Sequence, residues 1–199
     1  MTKKERWELH VENWSECTLC SLKETRTNVI VGHGKLPCDV LVLGLTPSVD
    51  DDASDGPFYG RDGNWLRGRL EEVFPSPTYR VFMSNLLGCR VSDLRATAKK
   101  TLKKYLKCCK PRVDELIAVA NPKVILCLGS NLKPWMERDK TEYTIPRKTA
   151  VVFASALMSI TRSQPPHQDY LEAEFDLQLR EIANLLEISR HAKDHEETG

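Results

Sequence analysis

A chain of 199 residues with 41% hydrophobic and 29% charged residues can bury one domain's core, which excludes a fibrous or wholly disordered class. Its net charge of +1 gives no global sign of a nucleic-acid partner, although the charge is unevenly spread. No apolar run approaches bilayer length and no apolar signal segment follows Lys3-Lys4, so the expectation is a soluble, cytoplasmic or nucleoid-associated protein with no membrane partner.

Trp7, Val11 and Trp14, at i, i+4 and i+7, predict a short amphipathic helix leading into Cys17-Thr18-Leu19-Cys20. Seven cysteines, an odd number without an export signal, argue for reduced thiols or metal ligands rather than a disulfide scaffold. A Cys-x2-Cys hook with Cys89 and the Cys108-Cys109 pair downstream can supply four sulfurs. That set suits a structural zinc or a four-iron cluster, and buried apolar cysteines or a redox pair are the plainer reading.

Residues 29–31 and 40–43 read as short β-rich runs separated by glycines and Pro37, with Cys38 packed at the entry to the second. Asp50, Asp51, Asp52 and Asp55 read as a solvated loop. A helix is predicted over 63–74, with Leu66, Leu70, Val73 and Phe74 on one face, and a strand over 79–87 that ends at Asn85 and Cys89. Between Arg95 and Arg112 there are eight Lys or Arg and no acid. Over residues 97–109 a helical repeat puts Leu102, Tyr105, Leu106 and Cys109 inward, while Lys99, Lys100, Lys103, Lys104 and Lys107 spread over the other faces. This lysine face is a solvated helix surface or a set of phosphate contacts; the absence of interleaved acids favours the second.

A helical stripe continues to Ala120, a strand spans 123–128, a last strand 151–154 and a closing helix 171–189. The charged tail from Arg190 to Gly199 is expected to be disordered. Strands alternating with helices predict a single α/β domain over residues 1–189, three-layer α/β/α, with a mostly parallel central sheet of about four strands.

Several blocks together resemble the iron-sulfur class, family 4-like, of the uracil-DNA glycosylase superfamily. Cys17, Cys20, Leu22, Arg26, Val31, Gly32 and Gly34 match its hook and Val-x-Gly-x-Gly turn. Gly44-Leu45-Thr46-Pro47-Ser48 stands for its Gly-Glu-Ala-Pro-Gly loop, and Pro57-Phe58-Tyr59-Gly60-Arg61-Asp62-Gly63 for its Pro-Phe-Val-Gly block. Asn85-Leu86-Leu87-Gly88-Cys89-Arg90 and Cys109-Lys110-Pro111 follow in order, and the resemblance covers roughly residues 14 to 162.

The resemblance implies a 4Fe-4S cluster held by Cys17, Cys20, Cys89 and Cys109, with zinc as the physical alternative in the same sulfurs. It implies that Phe58 stacks on an extruded uracil and that the Asn85 amide reads its edge. DNA is the implied partner, met through the lysine face and Arg61, and a replication or repair protein is a second partner class. The family's catalytic Glu falls on Leu45 and its late His on Ala156. Asn85 and Thr46 are then the remaining catalytic candidates, and Asp50 to Asp52, Asp55 or His167 could supply a displaced group. Three readings follow: a DNA-binding pseudoenzyme, an active glycosylase with relocated catalytic residues, and a zinc-stabilised protein-interaction module.

Overall fold

The computed structural model describes residues 1–94, 96–137 and 143–196, with side chains to Ser189, so Arg95 of the basic stretch lies outside the described residues. In chain order its elements are helix α1 (Lys3–Trp14), a 3-10 turn (Ser21–Glu24), β1 (His33–Gly34), β2 (Val40–Gly44), α2 (Val49–Ser54), α3 (Gly60–Val73) and β3 (Val81–Asn85). Then come α4 (Lys99–Ala120), β4 (Val124–Leu128), α5 (Lys133–Met136), β5 (Ala150–Ala154), α6 (Leu157–Thr161) and α7 (His167–Glu196). No described helix is long and apolar enough to cross a membrane.

The sheet has five strands in the order β1-β3-β2-β4-β5, not about four. The addition is β1, a two-residue strand pairing antiparallel with β3, whereas residues 29–31 form no strand. The other pairings are parallel, and their register sets Gly44 beside Asn85 and Leu128 beside Ala154. Strand ends are therefore level along one edge, where open α/β sheets bind ligands.

Alternating strand residues face opposite layers, as the two-residue repeat of a strand requires. Leu41, Leu43, Phe82, Ile125 and Cys127 join a core with α4. Val40, Val42, Leu126 and Leu128 join the other, with α3, α6 and α7. Burial pushes the Cys38 thiol up to about 12 and raises that of Cys127 as well, so both are inert packing groups. The closing helix runs on to Glu196, past its expected end.

Residues 49–54 are helical rather than a solvated loop. Ser48 accepts from the Asp51 amide while the Asp51 carboxylate accepts from the Ser48 amide, a reciprocal cap that starts α2. Acids in a first turn also suit the positive end of the helix.

His10 is 1% exposed, stacked on Trp7, with Nδ1 3.3 Å from Glu115, which also accepts from the Trp14 indole at 2.6 Å. Burial, reinforced by Arg112 and opposed by Glu115, lowers its pKa from 6.5 to about 4. Between those values the unfolded chain binds a proton that the folded one refuses. The His10 contribution is therefore intact above pH 6.5, declines as pH falls and is gone below about 4. Urea unfolding at pH 7 and pH 4.5 is expected to show a loss of about 2 to 3 kcal/mol that His10→Gln removes.

Candidate functional site

At the carboxyl edge of the sheet a cavity of about 490 Å³ opens between the loops that follow β2, β3, β4 and β5. Leu45, Phe58, Asn85 and Ala156, distant in the chain, all line it. Asn85 ends β3 and is 2% exposed, and its Nδ2 has no hydrogen-bond partner among the described residues. A buried amide donor left open costs roughly 1–3 kcal/mol unless something in the cavity accepts from it.

Local backbone geometry brings the ring and the amide together. Phe58 has a positive φ of 58°, and a methyl on Gly63 would collide with its carbonyl oxygen, so the turn depends on glycine there. A methyl on Gly44 would strike Asn85 Oδ1 and sit 3.2 Å from the tip of the Phe58 ring. The strand-end glycine is thus the space in which Phe58 and Asn85 meet. Phe58 is also packed in the core of its layer, so it serves as a fixed wall.

The groups considered as displaced acids or bases divide clearly. Asp52 is 3% exposed and accepts from the amides of Thr27 (2.9 Å) and Asn28 (3.0 Å), with Arg90 at 3.4 Å. Burial raises its pKa, but those amides and Arg90 outweigh it and hold the carboxyl below its usual range. Asp51 caps α2 and accepts from the Tyr59 amide at 2.6 Å. Both are structural carboxylates. The Thr46 hydroxyl lines the cavity, yet it donates to the Cys89 carbonyl and accepts from the Val91 amide, each at 3.2 Å, so its proton is already committed to the backbone. Asp55 is an exposed helix C-cap and His167 stacks on Tyr170, neither on the cavity wall.

Asp50 is the member of the acidic stretch that reaches the cavity. Asp62 also lines it and was not singled out from the sequence; Thr161 donates to it at 2.6 Å and Arg162 at 3.4 Å. Its place inside the Pro57 to Gly63 block was the available signal. Arg61 stands on the rim and donates to the Thr161 carbonyl at 2.7 Å.

Cys17 and Cys20 are half-buried, Cys89 is 4% exposed and Cys109 7%, and all four pack on one core cluster. Arg26 Nη1 stands 3.6 Å from Cys89 Sγ. Burial pushes the Cys89 thiol up to about 11 against the pull of Arg26, and Cys109 and Cys20 add to the rise. Burial likewise raises Cys20, with Cys109, Cys108 and Cys17 contributing. The thiols feel one another, but among the described residues no three His, Cys, Asp or Glu are gathered closely enough to hold a metal ion. Cys109 is buried and Cys108 half-exposed, as the helical repeat requires. Lys99, Lys100, Lys103, Lys104 and Lys107 are exposed on the opposite side of α4. Four of them border a shallow surface depression with Cys108.

The family model for the uracil DNA glycosylase superfamily matches residues 31–178. A type-4 uracil-DNA glycosylase of Thermotoga maritima is 32% identical over 131 residues, covering 65% of this chain and 65% of that protein. Those of Archaeoglobus fulgidus and Sulfurisphaera tokodaii are 31% and 28% identical over 113 residues, covering 57% of this chain and 54% and 50% of theirs. The chain spans half to two-thirds of the length of these curated relatives. With more than half of its residues inside the family match, the chain belongs to the uracil DNA glycosylase superfamily, on its type-4 side.

Proposed function

We propose that this protein binds DNA and receives an extruded uracil in the edge cavity, without efficient hydrolysis of its glycosidic bond. The observation that carries the reading is the buried, unpartnered Asn85 Nδ2 on a cavity wall shared with Phe58. Extruding a base costs a few kcal/mol, which a stacking surface and edge hydrogen bonds must offset. Phe58 supplies the surface. Asn85 offers an N–H to the uracil carbonyl and an oxygen to its ring N–H, whereas cytosine presents those two features reversed.

Hydrolysis asks for more. Water must be oriented as the sugar becomes cationic, and the departing base carries away the bonding electrons. Neither Leu45 nor Ala156 can take or give a proton, which is what favours binding over turnover. The exposed lysines of α4 and Arg61 would contact phosphates, giving salt-sensitive affinity.

Cys17, Cys20, Cys89 and Cys109 are the residues that would hold a 4Fe-4S cluster, or zinc in its place. Their shared neighbourhood and the cation of Arg26 beside Cys89 fit a thiolate-bound centre. When bound, such a group supplies a structural cross-link between the amino-terminal hook, the turn after β3 and α4.

The test is affinity for single- and double-stranded oligonucleotides with uracil or cytosine at one position. Uracil preference in the wild type is expected, lowered about tenfold by Asn85→Ala or Phe58→Ala, with little excision. No preference for uracil would overturn the reading. The alternative, an active glycosylase, has one observation in its favour: the Asp50 carboxylate on the cavity wall, where it could accept a proton from water adding to the sugar. Uracil excision abolished by Asp50→Asn would establish it.

A further inference from the structure

Arg112 lies in the basic stretch of α4 but faces the opposite way from its lysines, with 1% of its surface exposed. A guanidinium taken out of water must find acceptors. Its terminal Nη donors go to uncharged oxygens at the end of β3 and just before β1, while Nε finds no partner among the described residues. Nη1 reaches the Val31 carbonyl and the Ser84 hydroxyl, each at 3.3 Å, and Nη2 reaches the Leu86 carbonyl at 3.3 Å and the Asn85 carbonyl. A buried cation thus grips the main chain of Asn85, whose buried side-chain donor is left open on the cavity.

That juxtaposition matters because, among the described residues, Asn85 Nδ2 finds no hydrogen bond to fix its direction. An amide in that condition takes its aim from its own backbone and from what its oxygen packs against. The oxygen packs against Gly44, and the backbone is held by Arg112. Val31 and Ser84 are bound in the same grip, and the Ser84 hydroxyl also donates to the Val31 carbonyl at 3.0 Å, so the turn before β1 is fixed to the same point. Cys109 stands one turn earlier on the same helix, which places the clamp and a proposed cluster ligand on one rigid element.

We infer that Arg112 is a positioning residue for base recognition: by holding the Asn85 peptide from behind, it keeps the Asn85 amide aimed into the cavity. The inference rests on the base-pocket reading of Asn85. It assigns Arg112 no contact with substrate. Hydrogen bonds from a charged donor are individually strong, so their loss is expected to weaken uracil preference by up to about tenfold, the loss expected when Asn85 itself is removed.

The experiment is a double-mutant cycle on the full chain, read as the ratio of affinities for uracil- and cytosine-containing oligonucleotides. Arg112→Met is expected to lower that ratio severalfold, up to about tenfold, while leaving the salt dependence of cytosine-oligonucleotide binding unchanged. Arg112→Lys, which keeps the charge without the planar fork, is expected to recover part of it. In an Asn85→Ala background Arg112→Met is expected to cause no further loss, because the group it aims is already gone. A wild-type ratio in folded Arg112→Met, or losses that add in the double variant, would overturn the inference. So would failure of both Arg112 variants to fold, which would mark a purely structural role. A wild type without uracil preference refutes the base-pocket reading itself, and that result is seen before any variant is made.

Discussion

Leu45→Glu combined with Ala156→His is expected to raise the rate of uracil excision by about 100- to 10,000-fold for each group restored. Both positions open on the cavity that holds Phe58 and Asn85, so each new side chain would reach the space a bound base and its sugar occupy. Leu45 is 8% exposed, and a carboxylate introduced there gives up hydration, which raises its pKa toward the range of a useful base. Ala156 precedes α6 and is half-buried, leaving the imidazole room on the cavity side. Excision is measured under single-turnover conditions, with Asn85→Ala added as a control expected to cancel the gain. If the double variant folds and prefers uracil but cuts no faster than the wild type, the two substitutions are not the reason for slow chemistry.

Cys109→Ser is expected to remove the metal centre, and Cys108→Ser to leave it in place. Structural metal sites of this size link on the order of 10 kcal/mol of binding to folding, so the first change should also lower thermal stability severely. The difference follows from the helix: Cys109 is buried against the core that holds the Cys17 to Cys20 hook, and Cys108 is half-exposed among lysines. Iron, sulfide and zinc analysis of both variants decides the matter. Iron with sulfide and a brown colour mark the cluster, and a colourless protein with one zinc marks the alternative. Loss of metal in Cys108→Ser with retention in Cys109→Ser would refute the helical-face argument, and a wild type with neither metal would remove the centre altogether.

Much of the fold was legible because its signals are periodic. The apolar runs that became β2, β4 and β5 and the inward stripes of α3, α4 and α7 repeat at spacings that one sequence displays. The candidate site was traced through linear blocks, and the structure brings Leu45, Phe58, Asn85 and Ala156 to the lining of one cavity. What escaped depends on single interactions. β1 has two residues, too few for any period, and is made a strand by its neighbour β3. α2 hid behind its own charge: four aspartates near one another suggest solvent, whereas Asp51 is a cap and Asp52 a buried acceptor for another segment's amides. Arg112 reads as one more cation in a basic run, and only the packing of α4 on the sheet turns it inward. Asp62 was in plain view within a matched block, but nothing in the chain says which side of a turn reaches a cavity.

The central claim is that an extruded base lodges between Phe58 and the open amide of Asn85. Its most direct test is a heteronuclear NMR titration of the labelled protein with a uracil-containing single strand and its cytosine counterpart. The account predicts that uracil alone shifts the Asn85 side-chain amide and the backbone signals of Gly44 and Gly63, at the rim where ring and amide meet. Shifts confined to the α4 lysines and identical for the two strands would contradict it, leaving a DNA-binding surface with no base pocket.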